Sequence, residues 1–231
     1  MLSDAQIERY SRQIILPQVG GKGQEKLLRA RVLVNGSGPL QTTALYYLAA
    51  AGVGTIGVLA HARFSVFAAL ATVQEEAPAS VLTHLNPDCT VVVHSAADAA
   101  HPERLVQGYD LVLSGPDPLH DACYAARRPF ICAQVSGADA WLLSCTGYEP
   151  DCPCLRCLPA QFCESGEESV FLDMAALFLG TLQATEAIKL ILDLHQARGA
   201  TLVRCEFPDL RFSETVVRKD PGCALCGRPT L

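Results

Sequence analysis

The apolar positions of this chain fall into two periods. Val32-Leu33-Val34 is a short, unbroken, β-branched run, and Gly36-Ser37-Gly38 follows it at once. From Leu40 to Ala51 the pattern becomes helical, with Leu45, Leu48 and Ala49 on one face, and Gly52 ends it. Thr55 to Leu59 is a second apolar run. Strand, glycine turn, helix and strand in this order seed a parallel sheet, and the turn often cradles a phosphate at the helix start. Two of the usual three glycines are present. Gln41 stands where the third would let the helix pack closely, and Pro39 suits a first helical turn but has no N–H to offer an anion.

The same reading extends along the chain. Ser3-Asp4-Ala5-Gln6 is a capping box that starts a helix at Asp4. Pro17 to Gly23 reads as a turn region, and Gln24 to Arg29 as a short helix leading into the first strand. A mostly small-residue helix is expected from Val66 to Leu85, interrupted at Pro78. Strands follow at Thr90–His94, Asp110–Leu113 and Phe130–Gln134, with helical stretches at Glu103–Gln107 and Leu119–Ala126 between them. Gly137 turns into an antiparallel strand, Trp141–Thr146. Asp173 to His195 holds a long helical period through Leu177, Leu182, Ala184, Ile188 and Leu192, with Gln183, Glu186 and Lys189 on its polar side. Leu202–Glu206 and Arg211–Val217 form a hairpin around Phe207-Pro208-Asp209-Leu210.

Length and composition change this picture little. With 231 residues and 50% hydrophobic content the chain suits one α/β domain, or one domain with a small appendage. It divides into an N-terminal helical arm (1–30), a Rossmann-like half (31–135) and a half with mixed strands (136–231). The formal charge of −6 argues against a general nucleic-acid binder. The charged residues Glu186, Lys189 and Asp193 break the apolar run at Ala175–Leu194, so no membrane span is expected. The amphipathic arm packs either on its own subunit or across a dimer interface, where an arginine would enter a neighbour's site.

Cysteine and acid placement supply the candidate chemistry. The chain has 11 cysteines and no secretory leader pattern at its start, so reduced thiols in the cytoplasm are expected. Cys154-x-x-Cys157 and Cys223-x-x-Cys226 are each a zinc half-site, since two thiolates in a tight turn reach one tetrahedral ion. Such a metal would staple the C-terminal tail to the Pro-rich loop, with Cys152 as a spare ligand; redox-active or unrelated cysteines are the alternative. Asp117, in Ser114-Gly115-Pro116-Asp117-Pro118, sits at a strand's carboxyl end, where open α/β sheets place ligands; a turn-forming role is the alternative. Cys163 lies in a polar loop as a candidate nucleophile or a bystander. No Asp or Glu occurs between Arg31 and Gln74, although dinucleotide-binding folds usually place a ribose acid there.

A set of motifs in fixed order joins these readings: Arg9 to Leu16 (RYSRQIIL), Gly23 to Leu27 (GQEKL), Arg31 to Val34, Leu48 to Gly54 (LAAAGVG), Asp110 to Leu113, Cys154 to Leu158 (CLRCL), Leu182 to Lys189 (LQATEAIK) and Pro221 to Gly227 (PGCALCG). Together they resemble the ThiF/MoeB/HesA group of E1-like adenylyltransferases over nearly the whole chain. The resemblance implies a mixed, mostly parallel eight-stranded sheet with helices on both faces, a homodimer, and a structural zinc on Cys154, Cys157, Cys223 and Cys226. It implies ATP and Mg²⁺ as co-substrates and a ubiquitin-like sulfur-carrier protein as partner, whose C-terminus is adenylated in molybdopterin, thiamin or related sulfur transfer. Gly36 and Gly38 match the nucleotide loop, Asp117 the Mg²⁺-linked aspartate, and Arg12 the arginine that reaches the partner subunit's site.

Other positions depart from the family pattern. Gln41 replaces the third glycine and Pro118 the asparagine after the aspartate. Ala60 falls at the ribose-binding acid and Ala62 at a second acid. The family's Ser-Asn-Leu-x-Arg-Gln stretch has no counterpart, the chain is shorter than the pattern after Phe64, and Ala79 lies near the place of a lysine. Ser169 lies near the position of the conventional cysteine. Three readings follow: an E1-like pseudoenzyme or partner-binding subunit, homodimeric or paired with an active paralogue; a divergent active adenylyltransferase that uses Arg63 or His61; and a Rossmann oxidoreductase.

Overall fold

The computed structural model describes residues 1–36, 38–59, 78–159, 169–194 and 200–227. Ala60, His61, Ala62, Arg63, Cys163 and the helix expected from Val66 up to Pro78 lie outside the described residues. The strands are β1 (Arg31–Asn35), β2 (Thr55–Leu59), β3 (Thr90–His94), β4 (Leu111–Ser114), β5 (Phe130–Ser136), β6 (Asp139–Cys145), β7 (Ala200–Glu206) and β8 (Arg211–Val217). They form one eight-stranded sheet in the order β3-β2-β1-β4-β5-β6-β7-β8. From β3 to β5 all neighbours are parallel, and from β5 to β8 all are antiparallel. This is the mixed α/β sheet that the sequence implied.

The helices are α1 (Asp4–Arg9), α2 (Ser11–Ile14), α3 (Gly20–Arg29), α4 (Pro39–Ala51), α5 (Pro78–Leu85), α6 (Ala96–Ala99), α7 (Pro102–Gln107), α8 (Leu119–Ala125) and α9 (Leu172–Ile191). Both sheet faces are covered, because successive side chains of a strand point to opposite sides. Val32 and Val34 of β1 face one core, shared with Leu27, Leu45, Leu48, Leu82 and Leu179 from α3, α4, α5 and α9. Leu33 faces the other, shared with Val106, Leu119 and Cys123 from α7 and α8.

Several expectations are corrected. The turn region before Gln24 is helical from Gly20 onward, because Gly20 (φ 59°) turns the chain and the amides of α3 then pair normally. The helix that starts at Asp4 ends at Arg9, and a second short helix, α2, follows after Tyr10, whose ring is buried. The short α6 was not foreseen; Ser95 and Asp98 close it with a capping box. Gln183 does not mark a polar face: it is fully buried. α9 is long and apolar enough by composition to cross a membrane. Its apolarity has a local cause, since it packs on α4, β5 and β6 as a core helix.

Arg9 and Tyr10 tie the start of the N-terminal arm to the body of the same chain. Tyr10 OH donates to Asp88 Oδ2 (3.0 Å) and receives a bond from Asn86 Nδ2 (2.9 Å), which also donates to the Ala49 carbonyl (2.6 Å). Arg9 pairs with Asp88 at 2.5 Å. Gly52, left-handed at the end of α4, leaves no room for a Cβ against Tyr10 and Gln24.

Candidate functional site

Two groups of side chains carry chemistry. The first lies at the carboxyl ends of β1 and β4, where the strand order reverses and open sheets leave a crevice. β1 ends in Asn35, and Gly36 and Gly38 follow with φ of 111° and 105°, conformations that favour glycine. α4 then starts at Pro39 with no side-chain cap. Gln41 turns back over the loop, so a Cβ on Gly36 would meet its Nε2 at 2.8 Å. The side chain that replaces the third glycine therefore occupies space beside the first.

Asp117 faces this loop from the segment that follows β4. Its Oδ2 receives Asn35 Nδ2 at 2.5 Å and the Ser114 hydroxyl, and its Oδ1 receives the Leu119 amide at 2.6 Å. Both carboxylate oxygens are thus engaged, and the Leu119 bond is an Asx turn that starts α8. Among the described residues no Lys or Arg pairs with Asp117. Asn35 and Ser114 were not singled out in the sequence; their mark there is a polar residue ending an apolar strand. Behind them, Gln183 Nε2 donates to the carbonyls of Ser114 (3.2 Å) and Ile131 (2.9 Å) and so fixes the ends of β4 and β5. Arg12 is exposed on α2, away from any described partner. Ser169 accepts the Phe171 amide at 3.2 Å just before α9.

The second group is the four-cysteine cluster. The Sγ atoms of Cys154, Cys157, Cys223 and Cys226 all lie within 4.8 Å of one another. The pairs 154–223, 157–226 and 154–157 stand at 3.6, 3.4 and 4.0 Å. A tetrahedral ion with metal–sulfur bonds of ~2.3 Å needs sulfur–sulfur edges of about 3.8 Å. The donor set therefore fits one metal ion. Local backbone supports it: a Cβ on Gly147 would meet Cys154 Cβ at 2.6 Å, and one on Gly227 the Pro221 carbonyl at 2.4 Å. Cys223 is lowered to about 7: burial raises it, but the backbone amides of Cys226 and Leu225 outweigh this by stabilising its thiolate. Cys226 is pushed up to about 11, chiefly by burial. Cys152 is no spare ligand here, as it turns to Glu149 Oε2 at 3.9 Å.

The two groups are joined. His120 of α8 is buried, and its Nε2 accepts the Leu155 amide at 3.0 Å, so Nδ1 carries the proton beside Asp121. Burial holds this imidazole below its ordinary pKa and hence neutral. Arg156 pairs with Asp121 through two nitrogens.

The sequence matches the ThiF family over residues 10–66 and 71–225. The chain belongs to the ThiF family. It is 33% identical to the molybdopterin-synthase adenylyltransferase of Salmonella typhimurium, over 98% of this chain and 99% of that protein. It is 32% identical to the SAMP-activating enzyme E1 of Haloferax volcanii, over 98% of this chain and 91% of that enzyme. The alignment to the Salmonella protein runs over 247 positions, more than this ThiF chain has residues, so that relative carries residues missing here. The break in the family match at 67–70 lies shortly after Phe64, where the sequence itself reads as short. Among solved structures, E. coli MccB with ATP superposes with a TM-score of 0.74 at 18% identity, covering 95% of this chain and 73% of that one. That likeness shows the E1-like fold.

Proposed function

We propose that this ThiF-family protein is a carrier-docking member whose ATP site is too depleted to adenylate. On this reading it binds a ubiquitin-like sulfur-carrier protein, as a homodimer or paired with an active paralogue. A structural zinc sits on Cys154, Cys157, Cys223 and Cys226. The observation that carries the reading is the state of Asp117. The acid matched to the Mg²⁺-linked position is committed to Asn35, Ser114 and the Leu119 amide, and no described cation stands beside it. Gln41 crowds Gly36 in the same crevice. Two alanines, Ala60 and Ala62, occupy places where the resemblance puts acids, and a methyl group holds neither ribose nor metal. Acyl adenylation needs preorganised charge against the α-phosphate, and each missing donor costs about a hundred- to a thousandfold in rate. Thiolate ligands need a reducing setting, so a cytoplasmic location goes with this reading.

A second reading, a divergent active adenylyltransferase, is favoured by the glycine loop and Asp117 themselves, and by relatives named as adenylyltransferases. ATP–pyrophosphate exchange with a panel of sulfur-carrier proteins separates the two. No exchange is expected, together with pull-down of a carrier and no Mg²⁺-dependent binding of a labelled ATP analogue. Robust exchange that disappears in Asp117→Ala would overturn the first reading and install the second.

A further inference from the structure

We infer that the four-thiol centre and the crevice at Asp117 form one mechanical unit, with His120 and Arg156 as positioning residues that carry metal occupancy to α8 and its acid. The inference rests on the metal reading and is independent of whether ATP is used.

The path is continuous and each step is a direct bond. Leu155 and Arg156 lie between Cys154 and Cys157 on the one-turn 3₁₀ helix Leu155–Cys157. The Leu155 amide donates to His120 Nε2 at 3.0 Å inside the core. Arg156 Nε donates to Asp121 Oδ1 at 3.0 Å, and a second guanidinium nitrogen donates to Oδ2. His120 and Asp121 belong to the first turn of α8, whose Leu119 amide is held by Asp117 at 2.6 Å. Asp117 closes the path on Asn35 and Ser114.

Two features make metal the controlling term. Between the end of β6 and Pro159 the loop has no regular element except that single 3₁₀ turn, and it is anchored in two ways: Leu155 and Leu158 pack in the core with Leu119 and Phe130, and Cys154 and Cys157 face the tail's Cys223 and Cys226. The tail that supplies Cys223 and Cys226 has no strand or helix after Val217 among the described residues. Without an ion the four sulfurs have nothing to converge on, Leu155 and Leu158 alone hold the loop against α8, and the Leu155 amide bond to His120 loosens. The imidazole is 4% exposed, with Phe130 edge-on at 5.4 Å, and water cannot replace the lost donor without opening the first turn of α8. Coupling of this kind is reciprocal, so a change at His120 must also be felt by the metal.

Hydrogen–deuterium exchange on the full chain, zinc-loaded and chelator-stripped in reductant, tests this. Stripping should raise exchange by roughly tenfold or more at 117–123 as well as at 218–227, and leave β2 protected. In the zinc-loaded chain, His120→Phe or Arg156→Ala should raise exchange at 117–123. His120→Phe should also weaken zinc, read by chelator competition, within the ten- to hundredfold typical of groups that orient a metal's ligands. His120→Gln keeps an acceptor for the Leu155 amide and should restore both readouts. Stripping that loosens only the tail, or a zinc-loaded His120→Phe with wild-type protection and wild-type zinc affinity, would overturn the inference. If the stripped chain unfolds throughout, the zinc-loaded variants decide alone.

Discussion

Tyr10 shows what a single side chain does for the arm. Its hydroxyl bonds Asn86 and Asp88 while its ring fills the space over Gly52. Burial, followed by the Asp88 carboxylate, pushes its pKa from 10.0 to about 12. A folded-state value above the unfolded one adds stability that is complete below pH 10 and is lost as pH rises through about 12. Tyr10→Phe should therefore cost about 1–2 kcal/mol near neutrality for the lost bonds. Denaturant titrations at pH 8 and at pH 11.5 should show the gap between wild type and variant narrowing. A gap that stays constant would mean the hydroxyl is solvated and the arm loosely held. At this scale the sequence was read unevenly. The cysteine spacing and the placement of Asp117 were legible because few side chains have that chemistry. Gln183 was misread because helical periodicity ranks an amide as polar, and only tertiary structure supplies the Ser114 and Ile131 carbonyls it satisfies.

Among the described elements, α4 and α9 pack directly on each other. Gly180 lies where a Cβ would meet the Leu40 carbonyl at 2.2 Å and Thr43 Cβ at 2.8 Å. The obstacle is partly backbone, so it cannot swing aside as a side-chain tip would. Alanine gains about 1 kcal/mol of helix propensity over glycine, but overpacking costs about 1–3 kcal/mol and here the upper part of that range applies. Gly180→Ala should lower the melting temperature by several degrees in circular dichroism; an unchanged or raised value would show that the helices can separate freely. Most elements were legible because apolar period and breakers agreed. β1, α4 and β2 carry both a run and a glycine stop. The failures sit where local signals conflict. The glycine-rich Gly20-Gly21-Lys22-Gly23 looks like a turn, yet it is helical because Gly23 packs under Leu192 and Val19.

Over the whole molecule, the mixed eight-stranded sheet was legible only through resemblance and its strand order was not legible, since periodicity does not tell which strand neighbours which. The meeting of the loop's cysteines with the tail's was legible from spacing alone, because two half-sites need one another. The structure separates this centre from the sheet: Cys154, Cys223 and Cys226 cluster with Tyr124, Cys157 and Leu225, apart from the two cores that flank the strands. That separation sets the size of the last expected effect. In zinc-finger peptides the metal supplies about 10–16 kcal/mol because it holds the entire fold. Here most buried apolar side chains belong to the sheet's own cores, so losing the ion should release the tail and the Cys154 loop while the strands persist. Protein prepared without chelators should carry about one zinc per chain, as a single tetrahedral Cys₄ site requires. Cys226→Ser should drop that content sharply and lower the melting temperature. It should open 218–227 to limited proteolysis and leave the far-ultraviolet circular dichroism nearly unchanged. Native mass spectrometry reads the metal and the cleavage products together. Wild-type protein free of zinc would remove the structural role assigned to the four cysteines. A Cys226→Ser chain that loses its sheet along with its metal would show that the staple holds the whole molecule and not the tail alone.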